Sequence, residues 1–206
     1  MFGDPVAAAW DGDAVEHAVE IVAFVVSPGH NYWFHSRDPA DGVGPHPTTY
    51  PDAVDLVAGK GIVGDRFFGR ASRLASTVSF LAAESVDAVA AALGAGPLDP
   101  RLLRRNVVVR GVDLNALRHG TFSLDGGDGP VGFETAGETS PCAWMDAVLA
   151  PGARDLLRGR GGLRASPTTS GRLRTGPAVL RADLAPGTTF DPARAGDPVR
   201  RRSRLP

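Results

Sequence analysis

NVVVRGVDLNALRHGTFSLDGGDGPVGFET, residues 106–135, is the stretch whose reading decides the fold. Asn106-Val107-Val108-Val109 is β-branched and short, as a buried strand is. Residues 113–117 make one helical turn, stopped by Gly120. Residues 121–124 and 131–135 then alternate apolar and polar side chains on either side of Asp125-Gly126-Gly127-Asp128-Gly129, which reads as a hairpin. Three strands packed so closely, with no full helix between them, predict a sheet built largely from local antiparallel returns.

The same texture extends outward in both directions. Val19-Glu20-Ile21-Val22-Ala23-Phe24-Val25-Val26 is a strand ended by Ser27-Pro28-Gly29, and a long polar loop follows from His30 to about Pro51. Residues 53–57 read as a short strand, and a glycine-punctuated turn through Gly59, Gly61, Gly64 and Gly69 leads to another strand at 76–81. Residues 82–93 carry Val86, Val89, Ala90 and Leu93 at helical spacing, closed by Gly94. A second helix is expected from Pro141 to about Leu149, with helical character again at 153–157. The last strands are expected at 163–168 and 178–182, joined through Gly171 and Gly176. Many short strands, two brief helices and no βαβ rhythm predict a strand-rich barrel or curled sheet, mainly β in class, because closure removes exposed edges.

The chain has 206 residues, enough for one well-filled domain. The expected division is a flexible leader at 1–18, one barrel domain at 19–184 and a disordered basic tail at 185–206. No apolar run reaches the ~18 residues of a membrane span, and the start lacks a secretory signal, so the expected location is cytoplasmic. The formal net charge of -1 offers nucleic acid no global attraction, so no nucleic-acid partner is expected. The basic residues are 21 arginines and Lys60, a bias that a GC-rich genome explains and that bidentate anion binding would also use.

Cys142 is the only cysteine, which excludes an intramolecular disulfide and any multi-cysteine metal site. With Ser140 as N-cap and Pro141 as first helical residue, its sulfur is expected in the first turn of a helix. Unpaired amides and the helix dipole there favour a thiolate. The apolar stripe of Trp144, Met145, Val148 and Leu149 puts Cys142 at its edge, beside Asp146, where it either faces a cleft or simply packs. Residues 59–69 gather glycines around Lys60, Asp65 and Arg66, which makes either an anion nest or a tight turn. Arg104 and Arg105 stand at the start of a strand, placed either to grip an anion or to be solvated. Residues 158–164 form a second Arg/Gly turn. His30, His35 and His46 share one loop without the spacing of a metal site.

In order, these segments resemble the MOSC domain, the module at the C-terminus of molybdenum cofactor sulfurases and of small stand-alone proteins. The resemblance rests on Ser27-Pro28-Gly29-His30-Asn31-Tyr32, Lys60 through Gly69, Leu103 through Leu114, Pro141 through Asp146 and Arg158 through Ala165. It covers residues 19–182 and implies a strand-rich barrel with short peripheral helices. It further implies that Cys142 ligates the molybdenum of a molybdopterin cofactor and is the catalytic residue. Gly64, Asp65, Arg66, Arg104, Arg105 and Asn106 become the cofactor-binding residues. The implied reaction is the reduction of N-hydroxylated small molecules, with electrons from a separate electron-transfer protein. The alternative is a non-catalytic carrier of persulfide sulfur or of the pterin. Pyridoxal phosphate is not expected, since Lys60 is the only lysine able to form its Schiff base. Gly176-Pro177 replaces the Gly-Asp often seen in the family's last hairpin, so the end of the barrel is expected to differ.

Overall fold

The computed structural model describes residues 14–31, 44–118 and 120–183. Ten strands carry the architecture: β1 (Val15–Phe24), β2 (Ala53–Val57), β3 (Gly61–Ile62), β4 (Val78–Ala82), β5 (Val107–Arg110), β6 (Thr121–Asp125), β7 (Pro130–Glu138), β8 (Leu163–Pro167), β9 (Gly171–Arg174) and β10 (Gly176–Ala182). Three helices accompany them: α1 (Ala83–Leu93), α2 (Trp144–Val148) and α3 (Ala153–Leu156). Seven strands close a barrel in the order β1-β10-β6-β7-β8-β4-β5, and β3-β2-β9 form a separate small sheet. The mainly β, barrel-type expectation therefore holds. No helix among the described residues is long and apolar enough to cross a membrane.

The barrel is filled by alternation. In β1, His17, Val19 and Ile21 are buried while Glu16, Ala18 and Glu20 are exposed, the period-two signature of a strand with one wet face. Phe80 from β4, Phe122 from β6 and Phe133 from β7 meet at the centre, with ring centroids 5.0 to 5.3 Å apart. Two of these contacts are edge-to-face and one is stacked, arrangements that add to the burial energy of each ring. Val54, Leu56, Ile62 and Leu173 bring the small sheet into the same core. A second cluster lies outside the barrel wall, where Leu81 meets Val86 and Val89 of α1, Trp144 and Met145 of α2, and Leu157. This is why consecutive residues of β4 are buried: Phe80 belongs to the barrel core and Leu81 to the helical layer.

Three expectations need correction. β1 begins at Val15, so residues 15–18, assigned above to the leader, pair with β10. Their period of two is weakened in the sequence by a buried histidine and an exposed alanine at His17 and Ala18. The chain also contains one parallel pair, β4 with β5, connected through α1. A parallel pair requires such a crossover, so the strand–helix–strand succession at 78–110 is a βαβ unit within an otherwise antiparallel barrel. Finally, residues 141–143 precede α2 rather than opening it, and the N-cap position falls on Ala143 with no side-chain cap. Ser140 does not cap the helix, and Cys142 is not in a helical turn. Elsewhere the outline agrees: Gly94 takes the left-handed conformation that ends α1, and the 121–135 hairpin forms in register. Gly176-Pro177 opens β10, where Pro177 pairs opposite Glu20. The leader before residue 14, His35 and the basic tail lie outside the described residues.

Candidate functional site

A cavity of about 250 Å³ opens where several chain segments converge. The segment just after β1 contributes Val25 and Ser27, and the turn after β3 contributes Asp65, Arg66 and Phe67. A 3-10 segment, Ala71–Ser76, brings Arg73 and Ser76, and β4 brings Ser79. Arg104, Arg105 and Asn106 enter from the start of β5, Thr139, Ser140 and Cys142 from the segment after β7, and Arg164 from β8. Of the residues expected at the site, Asp65, Arg66, Arg104, Arg105, Asn106 and Cys142 come together around this one space. Gly64 does not line it. Its φ of +84° instead provides the left-handed turn that delivers Asp65, a conformation that favours glycine.

Asn106 organises the floor. Its Oδ1 accepts from the backbone N–H of Ser79 at 3.0 Å and from Ser79 Oγ at 2.9 Å, while Nδ2 donates to Val25 O at 3.1 Å and Asp65 Oδ2 at 3.0 Å. The backbone N–H of Asn106 donates to Ser79 Oγ. One amide thus joins β1, β4, β5 and the 64–67 turn, with donor and acceptor each used in the only way its chemistry permits. Asp65 completes the turn by accepting from the Phe67 N–H at 3.0 Å through Oδ1, and Arg66 N–H donates to Ser27 O. Burial pushes the Asp65 carboxyl up from its ordinary value. The N–H groups of Phe67 and Ser27, the charge of Arg66 and the Asn106 amide oppose that shift.

The walls are cationic. Arg66, Arg73, Arg104, Arg105 and Arg164 face a lining with one carboxylate, Asp65. The Arg66 guanidinium also lies over the Phe67 ring, 4.5 Å from its centroid, and Arg73 approaches the same ring at 5.9 Å. Arg105 is buried and donates from Nε to Gly161 O at 2.9 Å, so it ties the Arg/Gly turn to the cavity as well as charging it. That turn must lie close. Gly162 has φ +108°, and a side chain there would run into the carbonyl of Phe80. Arg104 adopts φ 55°, the only positive value at a non-glycine among the described residues, and backbone strain of this kind gathers at functional sites.

Cys142 is exposed, on the segment between β7 and α2. Its carbonyl accepts from the Met145 N–H, and Trp144 Nε1 donates to Leu102 O at 3.0 Å, which fixes the segment against the approach to β5. Cys142 thus lines the cavity as an exposed residue rather than packing in the core. Asp146 is not its companion: Oδ1 accepts from the Arg154 N–H at 2.8 Å and serves α3. Arg73, Ser79, Thr139 and Arg164 were not selected from the sequence. Arg164 alternates with the buried Leu163 and Ala165 and could have been placed on the cavity face of a strand. Arg73 carries no local signal.

The donor set suits a phosphorylated, sulfur-rich metal cofactor. Arginine forks match phosphate, a soft thiolate matches molybdenum, and Thr139 lines the cavity with its buried Oγ1 lacking a hydrogen-bond partner among the described residues. No cluster of three His, Cys, Asp or Glu side chains occurs among the described residues, so a conventional multi-ligand cation site is not formed there.

Comparison with known proteins bears on the fold and the family. No curated protein matches the chain in sequence at a significant level. In structure it is similar to the YuaD protein of Bacillus subtilis, at 18% identity and a TM-score of 0.63, over 83% of this chain and 100% of that one. YiiM from Geobacillus stearothermophilus aligns at 12% identity and 0.54, over 86% and 82% of the two chains. YiiM from Escherichia coli aligns at 14% and 0.51, over 84% and 73%. At these identities the likeness concerns the fold. The MOSC domain model matches residues 58–200, which include the 60–69 turn, the Arg104-Arg105-Asn106 segment and Cys142. The chain belongs to the MOSC domain family.

Proposed function

We propose that the cavity holds a molybdenum cofactor through Cys142 and that the protein reduces N-hydroxylated small molecules. The observation that carries this reading is the meeting of the chain's only thiol with five arginines around one space. Arg66, Arg73, Arg104, Arg105 and Arg164 would hold the anionic pterin phosphate, and Cys142 would ligate the metal. When bound, such a group supplies two-electron chemistry at an oxygen atom. The protein's own part is placement. The Asn106 network fixes the floor, the Trp144 to Leu102 bond fixes the thiol-bearing segment, and Thr139 Oγ1 offers a hydrogen bond still unused. Converting N–OH to N–H consumes two electrons and two protons and releases water, so a separate electron-transfer protein completes the system.

The test uses protein made in a cofactor-producing host, with reduced methyl viologen as artificial donor and an arylhydroxylamine as substrate. The reading expects arylamine at one equivalent per two viologens oxidised, and Cys142→Ser to form none above background. Equal product from both proteins would overturn it.

The exposure of Cys142 favours one other reading, a carrier whose sulfur a second protein can reach. Persulfidation would add about 32 Da to the intact mass, reversed by reductant. The carrier reading expects that adduct together with no viologen-dependent product.

A further inference from the structure

A second cavity, of about 330 Å³, adjoins the first and shares Arg104 with it. Its apolar walls come from Pro47, Tyr50, Leu102 and Trp144. The Trp144 indole N–H is committed to Leu102 O, leaving the ring as an apolar face. Asn31 is equally occupied. Nδ2 donates to His46 O and to Thr48 Oγ1, and Oδ1 accepts from the His46 N–H at 3.0 Å. The Asn31 amide is thus spent on the loop that carries it. The cavity presents aromatic surface and two guanidinium groups: Arg101 lies 4.8 Å from the Tyr50 centroid, and Arg104 forms the wall toward Cys142. Asp99 holds Arg101 in place through Nε and Nη2, at 2.8 to 3.0 Å. A cavity of about 150 Å³ accommodates benzene, so this one has room for two fused rings.

We propose that this second cavity is a binding subsite for a planar aromatic anion of the aryl carboxylate class. The rings pack against Trp144, Tyr50 and Leu102, and the carboxylate lies toward Arg101 and Arg104. The strained backbone of Arg104 places one guanidinium on the boundary between the two spaces. A ligand seated here reaches toward the Cys142 cavity. Its role as substrate subsite rests on the reading proposed for Cys142, whereas its binding does not.

The experiment titrates cofactor-free protein with 2-naphthoate, following the tryptophan indole N–H signals in 15N-labelled samples, with Trp144→Phe identifying the relevant peak. The expected result is saturable movement of the Trp144 signal with a Kd below about 1 mM, and binding of neutral 2-naphthylmethanol weaker by about tenfold. Asp99→Asn/Arg101→Gln, which removes the cation without stranding a carboxylate on an exposed turn, is expected to weaken naphthoate by threefold or more. Cys142→Ser is expected to leave the titration unchanged. A Trp144 signal that stays still through several millimolar naphthoate overturns the subsite, as does equal affinity for the alcohol. Loss of binding in Cys142→Ser would place the ligand in the first cavity and would also overturn it. If the cofactor reading fails while naphthoate binds as described, the subsite stands as a binding site alone.

Discussion

Asn106→Asp replaces a donor with an acceptor at the most connected point of the site. In the native protein Nδ2 stands 3.0 Å from Asp65 Oδ2 and 3.1 Å from Val25 O, so the substituted oxygen meets two acceptors, one of them a buried carboxylate. Two unit charges about 3.5 Å apart at an effective dielectric of about 20 repel by about 5 kcal/mol. The folded variant has a less costly alternative, which is to take up one proton between the two carboxyls. At pH 7, protonating a group whose ordinary value is near 4 costs about 1.4 kcal/mol per pH unit, about 4 kcal/mol in all. That corresponds to a loss of roughly 8–16 °C in Tm for a domain of this size. The sign with pH follows from the proton. The folded state binds one more than the unfolded state, so the carboxyl value is raised on folding, and stability is retained at low pH and lost as pH rises. Urea denaturation at pH 5, 6, 7 and 8 reads the difference between variant and native protein. With about 1 kcal/mol added for the Val25 carbonyl that has lost its donor, we expect that difference to fall by about 1.4 kcal/mol per unit, from about 5 kcal/mol at pH 7 to about 2 kcal/mol at pH 5. A pH-independent difference, or one below about 1 kcal/mol at pH 7, would refute the arrangement of the floor.

Other consequences follow from the same geometry. Gly162→Ala drives a Cβ into the Phe80 carbonyl, where β4 and β8 pair, and should cost more than about 3 kcal/mol. Gly94→Ala, at a milder left-handed φ of 60° and with open space around it, should cost only about 1 kcal/mol by the same thermal melt, and equal losses would contradict the account of Gly162 as a close approach on a strained backbone. Asp99→Asn keeps the cap of the 100–103 turn but loses the ionic bond that holds the Asp99 carboxyl below its ordinary value. Both partners are more than a third exposed, so the loss at pH 7 should stay below about 1 kcal/mol. Because the native value is lowered, that contribution is present above the ordinary carboxylate range and disappears as pH falls through the native value. The two proteins should therefore melt alike in strong acid, and a difference that grows there would reverse the assignment.

Barrel class, hairpin and the helix α1 were legible in the sequence because each rests on local chemistry: alternation at 121–135, the Gly-rich loop between those strands, and Gly94 closing α1. The βαβ pairing of β4 with β5 was present as a succession of elements, but periodicity does not say which strands become neighbours. Val15 to Ala18 were missed because a buried His17 hides an otherwise plain period of two. The helix start at Pro141 was misplaced because Ser-Pro is a good opening on local grounds, whereas α2 opens only at Trp144, whose indole bond to Leu102 O anchors it there. The site itself was partly legible. Arg66, Arg104, Arg105, Arg164 and Cys142 sit in segments whose composition stands out, while Arg73 belongs to the site only through closure of the barrel.

The central claim is that the Cys142 thiol and the surrounding arginines act on one bound group. Molybdenum per chain, measured on protein purified from a cofactor-producing host, tests it most directly. The account predicts close to one metal in the native protein, loss of most of it in Cys142→Ser, and loss also in Arg104→Ala/Arg164→Ala with the thiol intact. Native protein without molybdenum, or the same content in all three, would contradict it.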